Sequence, residues 1–105
     1  MTQKTAPTET LPFDPARLLD RPEDVAFFVA DAMETGDAAY IQHALGVAAR
    51  ALGMTEVAER AGLGRESLYK ALKDGANPRF ETVLKVMQAL GLQLTVRLEE
   101  PADAA

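Results

Sequence analysis

Two short amphipathic patterns, Val57–Ala61 and Arg65–Lys73, flank the tripeptide Gly62-Leu63-Gly64. That spacing constrains the fold of this chain more than any other feature. A glycine at position 62 adopts left-handed backbone at little cost, and Leu63 is placed to plug the angle between the elements on either side. The first pattern predicts a short helix through Arg60, capped by Thr55, with Val57, Ala58 and Ala61 turned inward. The second predicts a helix from Arg65 to about Lys73 that buries Leu68, Ala71 and Leu72. Two short helices joined by so tight a turn form a helix-turn-helix, a device that lays its second helix in the major groove of DNA.

Projected at about 100° per residue, Glu66, Tyr69, Lys70 and Lys73 fall opposite the apolar side of the second helix, with Arg65 and Ser67 flanking. An Arg in the first turn of such a helix can fork onto guanine, and Lys70 can reach guanine acceptors or phosphate. Tyr69 can pack on a thymine methyl, and Glu66 can accept from cytosine N4. Arg65, Glu66, Tyr69 and Lys70 are therefore the candidate base readers. Thr55, Lys73, Asn77 and Arg79 are the candidate phosphate clamps. A solvated helix face carries the same residue types, so the joint spacing of Val57-Ala58, Gly62, Leu68 and Leu72 supports the reading more than any charge alone.

The rest of the chain supplies a helical frame. Asp20 and Glu23 stand around Pro22 like a capping box, and Val25, Phe28, Val29 and Ala32 follow at helical spacing. Gly36 ends that helix and Asp37 can cap the next, whose stripe is Ile41, Ala44, Leu45, Ala48 and Leu52, stopped by Gly53. Asp74 to Pro78 is a loop by composition. Phe80, Val83, Leu84, Met87 and Leu90 form the last stripe, stopped by Gly91. Leu92 to Leu98 alternates with period two and predicts a short strand, with Leu92, Leu94 and Val96 on one face. A single strand is not stable alone, and no second candidate is visible. Pairing across a dimer is favoured, with addition to a partner's sheet as the alternative. The expected fold is all-α, with about five helices and that one C-terminal strand. The domain spans 13–98, with order beginning at Phe13 to Leu19 between a flexible N-terminus, 1–12, and a flexible tail, 99–105.

Composition bears mainly on partners and chemistry. The chain has 105 residues, a net charge of −5 and no Cys. Disulfides, cysteine-bound zinc and thiol catalysis are excluded, which fits a reducing cytoplasm. The N-terminus lacks an apolar stretch of signal-peptide length, and no run reaches membrane-spanning length. Residues 54–91 carry six basic and five acidic residues, whereas residues 1–53 carry four basic and eight acidic. The candidate DNA-reading segment is thus the only part that is not acidic. A near-neutral reader flanked by acid binds DNA weakly as a monomer, so dimeric or partner-assisted binding is expected. His43 is the only histidine and reads as a surface residue rather than a ligand. No nucleophile–base set, metal cluster or phosphate-binding loop is legible, so neither an enzyme nor a cofactor is expected.

The run from Ala44 to Leu94, and above all GMTEVAERAGLGRESLYKAL and NPRFETVLKVMQALGL, resembles the prophage-type addiction-module antidote proteins. These are Xre-like relatives of the phage Cro and lambda-repressor-like proteins. The segment FDPARLLDRPEDVAFFVADAMETGD resembles the part that precedes the helix-turn-helix in that family. The resemblance covers roughly Phe13 to Val96. Gly64 departs from it, because a small polar cap such as Ser is expected there and its loss weakens the helix N-cap modestly. The resemblance implies an antitoxin of a type II toxin–antitoxin pair, which binds a RelE/HigB-like mRNA-endonuclease toxin and represses their shared promoter as a dimer.

The acidic first half suits a basic toxin, and Asp24, Asp31 and Glu34 are the candidate toxin-binding residues, with solvated helix charge as the plain alternative. A dimer reading two half-sites predicts an inverted-repeat operator with recognition helices about 34 Å apart. Two other functions fit the sequence: an interaction module that keeps the helix-turn-helix as scaffold with weak or no DNA binding, and a prophage regulator without a toxin.

Overall fold

A computed structural model of the chain describes residues 19–100. The expected ordering at Phe13 and Leu18, and most of the two terminal segments, lie outside the described residues. Five helices follow one another: α1 Pro22–Met33, α2 Ala38–Leu52, α3 Met54–Ala61, α4 Arg65–Leu72 and α5 Phe80–Ala89. Among the described residues there is no strand, and the all-α expectation holds for them.

The helix starts differ from the sequence reading in two places. Pro22 opens α1, whose N-cap is Arg21 without a side-chain cap bond. Asp20 therefore sits one residue too early to cap, and the Asp20–Glu23 box does not form. Arg21 turns instead to Asp24, with Nε 3.3 Å from Oδ2. Thr55 is the second residue of α3 rather than its cap, because the helix starts at Met54 behind Gly53. At α2 the expectation holds: Asp37 Oδ1 accepts from Ala39 N–H at 3.0 Å and Tyr40 N–H at 3.4 Å. Such a cap contributes about 1 kcal/mol.

The core joins all five helices. Val29, Leu45, Ala48, Ala49, Val57, Leu68, Val86 and Met87 are buried together, with Leu63 and Leu92 packed against them. Leu45, Leu68, Val47, Val57 and Val86 are fully enclosed, and each such aliphatic side chain contributes roughly 1.5–3 kcal/mol of burial. Two expected core positions are exposed. Leu52 is 37% exposed and Phe80 is 66% exposed. Both sit at helix ends, where the apolar stripe has already rotated away from the packed neighbours.

The turn between α3 and α4 closes through backbone bonds. Gly62 has φ +70°, Gly62 N–H donates to Glu59 O at 3.2 Å, and Leu63 N–H donates to Ala58 O at 2.9 Å. This Schellman pattern satisfies carbonyls that the end of α3 leaves open. Arg60 ties α3 to α5, donating to Ala89 O at 3.3 Å.

The strand expected at Leu92–Leu98 is not formed in the single chain. Leu92 N–H still closes the end of α5 on Met87 O at 2.9 Å, but residues 93–100 donate no backbone hydrogen bond among the described residues. The physical reason is the one the sequence suggested: the same chain offers no second strand to pair with. Leu94 is 40% exposed, and Val96 and Leu98 are each 91% exposed.

Candidate nucleic-acid interface

Helix α4 is only eight residues long, too short to persist without support from its neighbours. Its inner face supplies Leu68 and Leu72 to the core, with Ala71 half-buried. Its start follows the Gly62–Gly64 turn, and Gly64 is the N-cap with no side-chain cap bond. That is the consequence expected of glycine at this position. The other end is held by a residue the sequence reading passed over. Gln42 on α2 uses its amide to donate to Ala71 O at 3.2 Å and to Lys73 O at 2.6 Å. Both acceptors belong to the end of α4, where carbonyls lack partners within the helix.

Close approach of α2 to α4 makes those bonds possible. A Cβ built at Gly46 would lie 3.3 Å from Leu72 O, so the absence of a side chain lets α2 pass tightly across the end of α4. Neither Gln42 nor Gly46 carries a legible sequence signal. Gln42 stands beside the apolar stripe of α2, but only the crossing shows what it touches.

The expected base readers share one outward face. Arg65, Glu66, Tyr69 and Lys70 are all exposed. The Arg65 guanidinium lies 5.5 Å from the centroid of the Tyr69 ring, with Nη2 donating to the phenolic oxygen at 3.4 Å. This cation–π contact one helical turn apart holds both side chains on the same side of α4. Lys73 caps α4 and is exposed, as are Asn77 in the following loop and Arg79, the N-cap of α5. Thr55 is exposed in the first turn of α3.

The charge arrangement separates this surface from the rest of the molecule. Among the described residues, Arg21, Arg60, Lys85 and Arg97 each face a carboxylate: Asp24, Glu56, Glu81 and Glu34. The remaining cations, Arg50, Arg65, Lys70, Lys73 and Arg79, have no carboxylate partner there. Arg65 and Lys70 lie on α4 and Lys73 at its end, Arg50 faces them from the end of α2, and Arg79 caps α5 beyond the following loop. Cations left without intramolecular partners keep their charge available to an outside anion.

Helix α1 and the turn after it are acidic, with Glu23, Asp24, Asp31 and Glu34. Of the candidate toxin-binding carboxylates, Asp24 is engaged by Arg21 and Glu34 by Arg97 at 2.8 Å. Asp31 has no such partner among the described residues. Asp31 and Asp24 line a shallow recess with Leu19, Phe27 and Phe28, and Phe27 is 76% exposed. His43 Nδ1 lies 3.2 Å from Asp74 Oδ1, a surface pair bridging α2 and the loop after α4. No helix among the described residues is long and apolar enough to cross a membrane.

Comparison with known proteins supplies an independent view. Residues 9–98 match a protein family described as "Probable addiction module antidote protein". An uncharacterized protein of Haemophilus influenzae is 42% identical over 85 residues, which cover 81% of this chain and 88% of that protein. No solved structure matches.

Proposed function

From the premise that this chain belongs to the addiction module antidote family, we propose that it is a DNA-binding antitoxin. It neutralises a RelE/HigB-like toxin by direct contact and represses its own promoter as a dimer, with α3 and α4 acting as an Xre-like helix-turn-helix. An antidote requires a cognate toxin as partner; the DNA reading rests on this chain's own residues. The observation that carries it is the concentration of carboxylate-free cations around α4 in a chain of net charge −5. A solvated helix also turns its charges away from its apolar face; what supports the DNA reading is that these cations lack carboxylate partners among the described residues, whereas Arg21, Arg60, Lys85 and Arg97 each have one.

In this reading Arg65, Glu66, Tyr69 and Lys70 meet base edges, while Thr55, Lys73, Asn77 and Arg79 clamp the backbone. The segment carrying Leu92, Leu94 and Val96 pairs with its counterpart in a second copy, covering the exposed Val96 and Leu98 and placing two α4 helices on one face of an inverted repeat. The acidic face of α1 around Asp24, Asp31 and Glu34 meets the toxin. That face is also what favours the second reading, a protein-interaction module in which DNA binding is weak or absent.

Gel shifts of the purified protein on DNA from its own upstream region, at two salt concentrations, separate the two. A salt-sensitive shift lost in an Arg65→Ala/Lys70→Ala double variant is the expected result. No shift by a folded protein, with or without the product of the neighbouring gene, refutes the DNA reading and leaves the interaction module.

A further inference from the structure

Arg50 lies outside α3, the turn and α4, yet its side chain belongs to their surface. It stands in the last turn of α2 and folds back so that Nη1 comes within 3.7 Å of where a Cβ at Gly46 would sit. There it forms the wall of a cleft of about 430 Å³ between α2 and α4, opposite Tyr69, Lys70 and Lys73, with Met54 from the start of α3 beside them. The one carboxylate on the rim, Asp74, is turned to His43. Arg50 itself has no carboxylate partner among the described residues.

We propose that this cleft seats a DNA backbone phosphate, with Arg50 as its principal ligand and Lys73, already assigned to the backbone, on the facing wall. The inference rests on the DNA-binding reading of α4 and adds a contact from a helix outside it. Three arguments point to a phosphodiester rather than a free anion. The cleft is open and runs along the flank of α4, so a strand of a duplex whose groove received α4 passes over it. Arg50 presents a planar fork suited to phosphate oxygens. The floor of Gly46, Met54 and Leu72 offers no side-chain donor to enclose a small ion on all sides.

Seating a phosphate contributes affinity without sequence information. The test is fluorescence anisotropy of the full chain on its own upstream duplex and on a scrambled duplex of equal length, across a salt series. Arg50→Gln should weaken both complexes by the same factor and lower the slope of log affinity against log salt by about 0.9, the loss of one phosphate contact. Arg50→Lys should restore most of that slope, and circular dichroism should show both variants folded, since Arg50 is exposed. Unchanged slope and affinity in Arg50→Gln, with the parent binding normally, overturns the inference alone. Weakening confined to the upstream duplex also overturns it, because the contact then reads bases. A parent that binds neither duplex overturns the DNA reading itself and the inference with it. Inorganic phosphate that competes at millimolar concentration in the parent but not in Arg50→Gln identifies a free-anion site and refutes the phosphodiester assignment.

Discussion

Replacing Gln42 by Ala tests whether α4 depends on α2 for its position. The side chain donates two hydrogen bonds to the end of α4, and the two acceptors do not suffer equally from their loss. Lys73 O also accepts from Ala76 N–H at 3.0 Å and lies where water can reach it, so its bond is worth the low end of the usual range, about 0.5 kcal/mol. The bond to Ala71 O is part-buried, and truncation leaves that carbonyl short of a partner at a cost of about 1–1.5 kcal/mol. Against this, Ala is a better helix former than Gln by a few tenths of a kcal/mol.

The net expectation is a loss of about 1–2 kcal/mol. For a domain of this size that corresponds to a fall in melting temperature of roughly 5–12 °C. Urea denaturation should show a lower midpoint with an unchanged slope, because the surface exposed on unfolding is the same. Gln42→Glu keeps the shape but cannot donate. It also sets a carboxylate against the negative end of α4, so it should lose at least as much. Melting temperatures within a degree of the parent in both variants refute the idea that these bonds hold the helix.

Two further outcomes follow from the C-terminal segment and from α1. Under the proposed strand pairing, Thr95→Pro should give a monomer by sedimentation where the parent is a dimer, while leaving the helical content intact, since residues 93–100 donate no backbone hydrogen bonds in one chain; a variant that stays dimeric and equally stable refutes strand pairing. In the proposed toxin contact, Asp31→Lys should slow association and flatten its salt dependence more than Glu34→Lys, because Glu34 is already engaged by Arg97. Equal, unaltered kinetics in both variants remove the acidic face of α1 from the toxin interface.

The helices were legible because their stripes and stops agree. Gly62, Asp37 and Leu68 each announce a local geometry that the packing then uses. At the start of α1 composition favours Asp20 as the cap, but the helix begins at Pro22 and leaves Arg21 in the cap position; only the path of the chain decides this. Periodicity places Phe80 in the core, but periodicity carries no information on where a helix runs past its neighbours, and Phe80 is exposed. The outward face of α4 follows from angular projection alone. Gln42, Gly46 and Arg50 did not emerge, because each acts across a crossing between helices far apart in sequence. The segment after Gly91 has the alternation of a strand, but alternation does not supply a partner.

The division of α4 into an inner and an outer face has a consequence for how such a protein changes its target. Leu68 and Leu72 carry its packing, and Gln42 and the Gly62 turn hold its two ends, none of them through the side chains of Arg65, Glu66, Ser67, Tyr69 or Lys70. Those five positions form an interchangeable label on a fixed mount. A library randomised at them, with everything else kept, should yield mostly folded proteins, so under the proposed DNA reading a new operator preference becomes a matter of selection rather than of rebuilding the domain.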